Sequence, residues 1–177
     1  MTNHRAELFK LAPLINKRNE TERQITAITG RPASIGHLGE FIASKVFEIE
    51  LSVAANQKSI DGFFSSGRLE GGSVNVKWYG AHEMLLDVCV DSPPDFYLVL
   101  SGPTKAAGQT DRTRPWLIRK VFLFDTAELM PAITARAIGI ATSIRGSVWD
   151  SCEIYPRSNS KMLTITEQQR DLLSLFD

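Results

Sequence analysis

The amino-acid sequence predicts an α/β fold, a central mixed β-sheet flanked by helices, in one domain over residues 1–177. Three observations carry that expectation. Apolar residues recur at helical spacing through the first third of the chain. The spacing changes to strict alternation at SVNVKWY, residues 73–79. Strand and helix signals then alternate after the most apolar run, FYLVL at 96–100. A chain of 177 residues that is 43% hydrophobic and 23% charged has the size and composition of one folded domain with its own core.

The N-terminal segment 4–30 reads as two helices. Leu8, Leu11, Leu14 and Ile15 share a helical face, and Thr21 opens a shorter helix with Ile25 and Ile28 that Gly30 stops. After Pro32, Ser34 is placed to cap a third helix. Its buried stripe is Ile35, Leu38, Ile42, Val46 and Phe47, and Gly39 and Ala43 are small enough to let another backbone approach. IELSVA (49–54) is either a strand or the end of that helix. Ile60–Phe64 reads as a strand, and SSGRLEGG (65–72) as a turn region with room for a short strand. Val74, Val76 and Trp78 alternate with Asn75, Lys77 and Tyr79 in the clearest strand of the chain. Leu85–Val90 is another strand candidate, and Phe96–Leu100 reads as the central strand. GPTKAAGQTDRTRP (102–115) is a polar loop, long enough to carry function. Lys120–Phe124 is the final strand, Thr126 the cap of a helix through Leu129, WDSCEIYP (149–156) a return to the surface, and the tail from Thr166 a last helix.

The formal net charge is zero, so any nucleic-acid function must rest on how charge is distributed. Residues 112–161 carry eight basic and four acidic side chains, a net +4, whereas Glu83, Asp87, Asp91 and Asp95 crowd the segment before it. Such polarity either steers nucleic acid onto one face or is an ordinary solvated surface. The two cysteines, Cys89 and Cys152, sit among apolar neighbours and read as buried thiols, neither a disulfide framework nor a zinc site. The opening MTNHRAELFK lacks the apolar stretch of a signal peptide, and no window reaches the roughly 18 apolar residues of a membrane span. The expected location is cytoplasmic, with no membrane partner.

One constellation has the composition of a reactive site. Glu40 lies off the apolar stripe of the third helix, Asp61 on the strand candidate at 60–64, and Asn75 and Lys77 two apart on one face of the next strand. Phosphodiester hydrolysis needs a divalent cation to polarise the phosphate and activate water. Magnesium takes hard oxygen ligands, typically one or two carboxylates with waters. Asp61 would be the principal ligand, the Asn75 side-chain oxygen and the Val76 carbonyl would complete the protein side, and Glu40 would bind a second ion or orient water. Lys77 would hold the water and offset charge developing on the phosphate. The plainer alternatives are a solvated Glu40, a turn-shaping Asp61 before Gly62, and a solvent-facing Asn75 and Lys77.

These segments resemble the PD-(D/E)xK nuclease superfamily, the restriction-endonuclease-like proteins. The likeness runs through Gly39-Glu40 with Phe41-Ile42-Ala43 on the helix, Ile60-Asp61-Gly62, and Asn75-Val76-Lys77, and covers roughly residues 36–100 with the sheet continuing to Phe124. The whole chain also resembles a family of small bacterial proteins that share this core. The resemblance implies a restriction-endonuclease-like core, Mg (or Mn) as cofactor, DNA as partner, and a Mg-dependent deoxyribonuclease of the restriction or repair type. Asn75 departs from the pattern, because an acid usually stands there and a neutral amide binds magnesium more weakly. That substitution favours the alternative of a catalytically inactive nucleic-acid- or protein-binding module. Cutting both strands of DNA would favour a homodimer.

Outside this constellation, Arg112, Arg114, Arg119, Lys120 and Arg145 are candidates for nucleic-acid binding, arginine being suited to phosphate by its rigid fork of donors. Trp116 and Tyr79 would stack on bases or pack in the core. The C-terminal segment 169–177 ends in Leu173-Ser174-Leu175-Phe176, which resembles the end of the peptide by which bacterial repair and replication proteins grip the sliding clamp. The alternative is that these apolar residues tie the last helix to the domain. GRLEGG lacks the following Lys-Ser/Thr of an ATP-binding phosphate loop, and no serine elbow is present.

Overall fold

Strong alternation at residues 73–79 and two apolar runs after it organise the fold, which a computed structural model describes for residues 2–52, 59–104, 114–133 and 139–177. In chain order the elements are α1 (Thr2–Thr29), α2 (Ile35–Val46), β1 (Ile49–Leu51), β2 (Gly62–Phe64), a 3₁₀ turn (Gly67–Leu69), β3 (Ser73–Tyr79), β4 (Leu85–Leu86), β5 (Phe96–Ser101), β6 (Lys120–Asp125), α3 (Thr126–Ile133), β7 (Thr142–Ser143), α4 (Gly146–Cys152), β8 (Glu153–Tyr155) and α5 (Glu167–Ser174). Six strands form one sheet in the order β1-β2-β3-β5-β6-β8, and β4 pairs with β7 separately. The sheet is mixed: β3 and β5 run parallel, from Val74↔Phe96 to Tyr79↔Ser101, and the other pairs are antiparallel.

Alternation along the central strands builds a core on each face of the sheet. Val74, Val76 and Trp78 of β3, Leu98 and Leu100 of β5, and Val121 and Leu123 of β6 pack with Ile42, Ala43 and Val46 of α2 and Leu173 of α5. The alternate residues Tyr97, Val99, Phe122 and Phe124 pack with Leu129 and Ile133 of α3, Trp149 of α4 and Leu86 of β4. The architecture is therefore α/β, with helices on both faces of a mixed sheet. α2 lies close on β3 because Gly39 has no side chain: a Cβ there would stand 3.0 Å from Trp78 Cβ. Ser34 caps α2 by accepting the His37 N–H at 3.3 Å.

Several expectations need correction. The two helices of segment 4–30 are one continuous α1, because the Thr21 hydroxyl bonds back to the Lys17 carbonyl at 3.0 Å instead of capping a new start. IELSVA is a strand in its described part, and the segment 65–72 holds a 3₁₀ turn. The strand expected at 85–90 is only two residues long and belongs to the small sheet. Asp125, not Thr126, caps α3, its Oδ1 accepting from Ala127 N–H at 2.8 Å and Glu128 N–H at 3.2 Å. Residues 149–156 do not simply return to the surface: they supply α4 and the buried edge strand β8. Cys89 and Cys152 are half-buried free thiols. No described helix is long and apolar enough to cross a membrane.

Candidate active site at the open edge of β3

The site forms where β2 parts from β3. Their ladder has only two residue pairs, Gly62↔Val74 and Phe63↔Ser73. Asp61, just before β2, continues the contact in another way: its N–H donates to the Val74 carbonyl at 2.9 Å, and its Oδ2 accepts the Val76 N–H at 2.7 Å. A carboxylate thus stands in for the next strand residue. In an extended strand the N–H and C=O of one residue point to the same side, so the Val76 carbonyl shares this edge with the Asp61 carboxylate. Asp61 is fixed from its other side by Ser52, whose N–H donates to the Asp61 carbonyl at 2.9 Å.

Glu40, Lys77 and Arg31 all lie near enough to act on Asp61 electrostatically. Burial, the largest influence, raises the Asp61 pKa above the usual aspartate value, and the negative charge of Glu40 adds to the rise. The Val76 N–H, Lys77 and Arg31 oppose it. Glu40 projects from the second turn of α2, which the Gly39 contact holds over β3, and is ion-paired and hydrogen-bonded to Arg31. Lys77 is half-buried on the opposite face of β3 from α2.

Asn75 stands apart. Its side chain is buried, its Nδ2 donates to the Ser59 carbonyl at 3.0 Å, and its Oδ1 has no partner among the described residues. The Ser59 carbonyl fixes the amide orientation, since the reverse would set two acceptors against each other. Asn75 therefore braces the segment that leads into Asp61, through Ser59, whose hydroxyl is itself bonded to the Ser92 carbonyl.

As a cation site, this edge offers the free oxygen of Asp61 and the Val76 carbonyl, with Glu40 already committed to Arg31. No group of three or more His, Cys, Asp or Glu able to hold a metal occurs among the described residues. The donor chemistry, hard oxygens with few carboxylates, fits a weakly held, largely hydrated magnesium and does not fit zinc.

Two of the candidate phosphate-binding residues are already ion-paired. Arg114 pairs with Glu83 at 3.6 Å and Arg119 with Asp177 at 3.8 Å. Arg145 is exposed at the N-cap of α4, and Lys120 is half-buried at the start of β6. Arg112 lies outside the described residues. Trp116 is 45% exposed and tilts against Trp78 at 6.3 Å. Leu173 is fully buried, Phe176 packs on the same core, and the Phe176 carbonyl accepts the Ile118 N–H at 2.9 Å. A clamp-type peptide needs these side chains free, and only Leu175, 74% exposed, projects outward; the tail is used to close the domain.

The sequence reading missed Arg31 and Ser59. Arg31 precedes the N-cap of α2 by three residues, a position from which a long side chain reaches the first turns of the helix, but nothing local distinguishes it from a surface arginine. It also missed the placement of His82, which stacks on Phe122 at 5.1 Å and meets Trp149 edge-on at 5.1 Å; burial first, then Lys120, lower its pKa. The chain matches no protein-family model and no curated protein sequence.

Proposed function

We propose that the protein is a metal-dependent nuclease that hydrolyses phosphodiester bonds in DNA, with its site at the open edge of β3. The observation that carries this reading is the Asp61 carboxylate bonded to the Val76 N–H where β2 leaves the sheet, within electrostatic reach of Glu40, Lys77 and Arg31. A bound magnesium or manganese ion would supply polarisation of the phosphate and acidify water, and Asp61 with the Val76 carbonyl would hold it. Lys77, within electrostatic reach of Asp61, would offset negative charge developing on a phosphate oxygen. Arg31 neutralises Glu40, which keeps two carboxylates from confronting an incoming phosphate unscreened.

A second reading, a catalytically inactive nucleic-acid- or protein-binding module, is favoured by two observations: Asn75 is turned inward and Glu40 is already paired. Calorimetric titration of manganese into the wild-type protein and the Asp61→Ala variant separates the readings. The nuclease reading expects binding that Asp61→Ala abolishes. A well-folded wild type that binds no manganese would leave the module. A mobility-shift assay at two salt concentrations then tells nucleic acid from protein partners, because phosphate contacts weaken as salt rises.

A further inference from the structure

We propose that the protein forms a two-fold dimer by antiparallel pairing of α1 with its copy, the N-terminal half of each helix covering an apolar groove on the other protomer. The first observation is that α1 overhangs its own domain. Glu22, Ile25, Thr26 and Thr29 are half-buried against the body, whereas every side chain from Arg5 to Thr21 is exposed. Positions 8, 11, 15, 22, 25 and 29 follow the alternating three- and four-residue spacing of one helix face. Leu8, Leu11 and Ile15 therefore continue the face that docks at Ile25, past the point where the domain ends. Leu8, Phe9, Leu11, Leu14 and Ile15 are 46–68% exposed. Together they leave about 500 Å² of apolar surface, at the upper end of what a monomer carries in one patch.

The second observation is a groove of about 400 Å³ beside the C-terminal half of the same helix, lined by Ile25, Ile28, Leu38, Phe41, Trp116 and Phe176 among others. Its rim is apolar and open to solvent, with Ile28 74% and Trp116 45% exposed. Covering two arms and two grooves would bury roughly 1,200 Å² in total, at the lower end of a standard stable interface.

The third observation sets direction and register. Arg18 and Glu22 interrupt the apolar stripe and pair within their own helix at 3.9 Å. An antiparallel partner centred between them brings Arg18 against the partner's Glu22, and Glu22 against the partner's Arg18. The same register brings Leu11 and Ile15 to the exposed rim of the partner's groove at Ile28, and Leu8 over the groove itself. A parallel pair would oppose Arg18 to itself. Self-complementarity of one surface under a two-fold axis is what an isologous dimer requires, and it singles out a second copy as the occupant. This inference is independent of the chemistry at β3.

Sedimentation velocity across micromolar concentrations tests it. The wild type is expected at twice the 19.7 kDa protomer mass. Leu11→Asp, at a side chain 49% exposed on the overhanging half of α1, is expected to run as a monomer whose domain is still folded by circular dichroism. Arg18→Glu and Glu22→Arg are each expected to lose self-association by at least tenfold, and an equimolar mixture of the two to recover it. In that mixture each reversed charge meets its opposite across the axis, while neither variant regains its own intrahelical pair. A monomeric wild type, a Leu11→Asp variant that remains dimeric, or a mixture that fails to pair would each overturn the proposal.

Discussion

Gly62→Ala tests how the edge that holds Asp61 is built. A Cβ at Gly62 would lie 2.4 Å from the Glu50 carbonyl oxygen, 2.8 Å from Ile49 Cγ2 and 3.1 Å from the Glu50 carbonyl carbon. Two of these contacts are backbone of the paired strand β1, so no rotamer change relieves them. β1 must withdraw by roughly 1 Å, which strains the Leu51↔Gly62 pairing and the Ser52 N–H bond to the Asp61 carbonyl, 2.9 Å long. Overpacking of this kind costs about 1–3 kcal/mol, and a weakened backbone hydrogen bond adds about 1 kcal/mol. The expected loss is about 2–4 kcal/mol, or roughly 5–15 °C in Tm for a domain of this size. Denaturant titration at unchanged m-value measures it. Gly36→Ala is the control: a Cβ there meets nothing within 4 Å, and the helix propensity of alanine should make the variant equal to wild type or more stable by up to about 1 kcal/mol. If Gly62→Ala lay within 0.5 kcal/mol of wild type, the account of Asp61 as clamped between β1 and β3 would be wrong.

Other outcomes follow from the same geometry. Asp61→Asn keeps an acceptor for the Val76 N–H and removes a charge that burial disfavours. It should be as stable as wild type at neutral pH or more so, by on the order of 1 kcal/mol, as functional-site residues often are when neutralised. Because the folded-state pKa of Asp61 is raised, its contribution to stability is present below the ordinary aspartate range and is lost as pH rises through the raised value. The advantage of Asp61→Asn should therefore grow with pH across that window in parallel melts and vanish in acid. Asn75→Asp cannot donate to the Ser59 carbonyl, so it should cost about 1–3 kcal/mol by denaturant titration. Leu173→Ala should cost about 2–5 kcal/mol by denaturant titration, whereas Leu175→Ala, at an exposed side chain, should stay within about 0.5 kcal/mol.

The elements legible in the sequence are those whose own side chains decide them. The cap at Ser34, the stripe of α2 and the alternation of β3 each carry a period or a turn residue that tertiary contacts reinforce. Helix α1 was divided at Thr21 because a threonine that bonds back to its own helix has the same local signature as one that starts a new helix. β8 was missed because Glu153 and its neighbours lack strand alternation: Glu153 is fully buried only because Arg157 meets it with bonds of 2.9 and 2.6 Å. At the candidate site, the alternation of β3 sets Asn75 and Lys77 on one face, and the parting of β2 from β3 leaves the Val76 N–H to the Asp61 carboxylate. The inward turn of Asn75 and the pairing of Glu40 with Arg31 depend on contacts 16 and 9 residues away in sequence, which no local pattern encodes.

Magnesium- and manganese-dependent cleavage of plasmid, linear, branched and single-stranded DNA, with RNA alongside, tests the central proposal most directly when wild type is compared with Asp61→Ala and Lys77→Ala. The proposal predicts metal-dependent cleavage of DNA that both substitutions abolish while the fold is retained. Cleavage that survives Asp61→Ala, or a well-folded wild type that cuts none of these substrates with either metal, would contradict it.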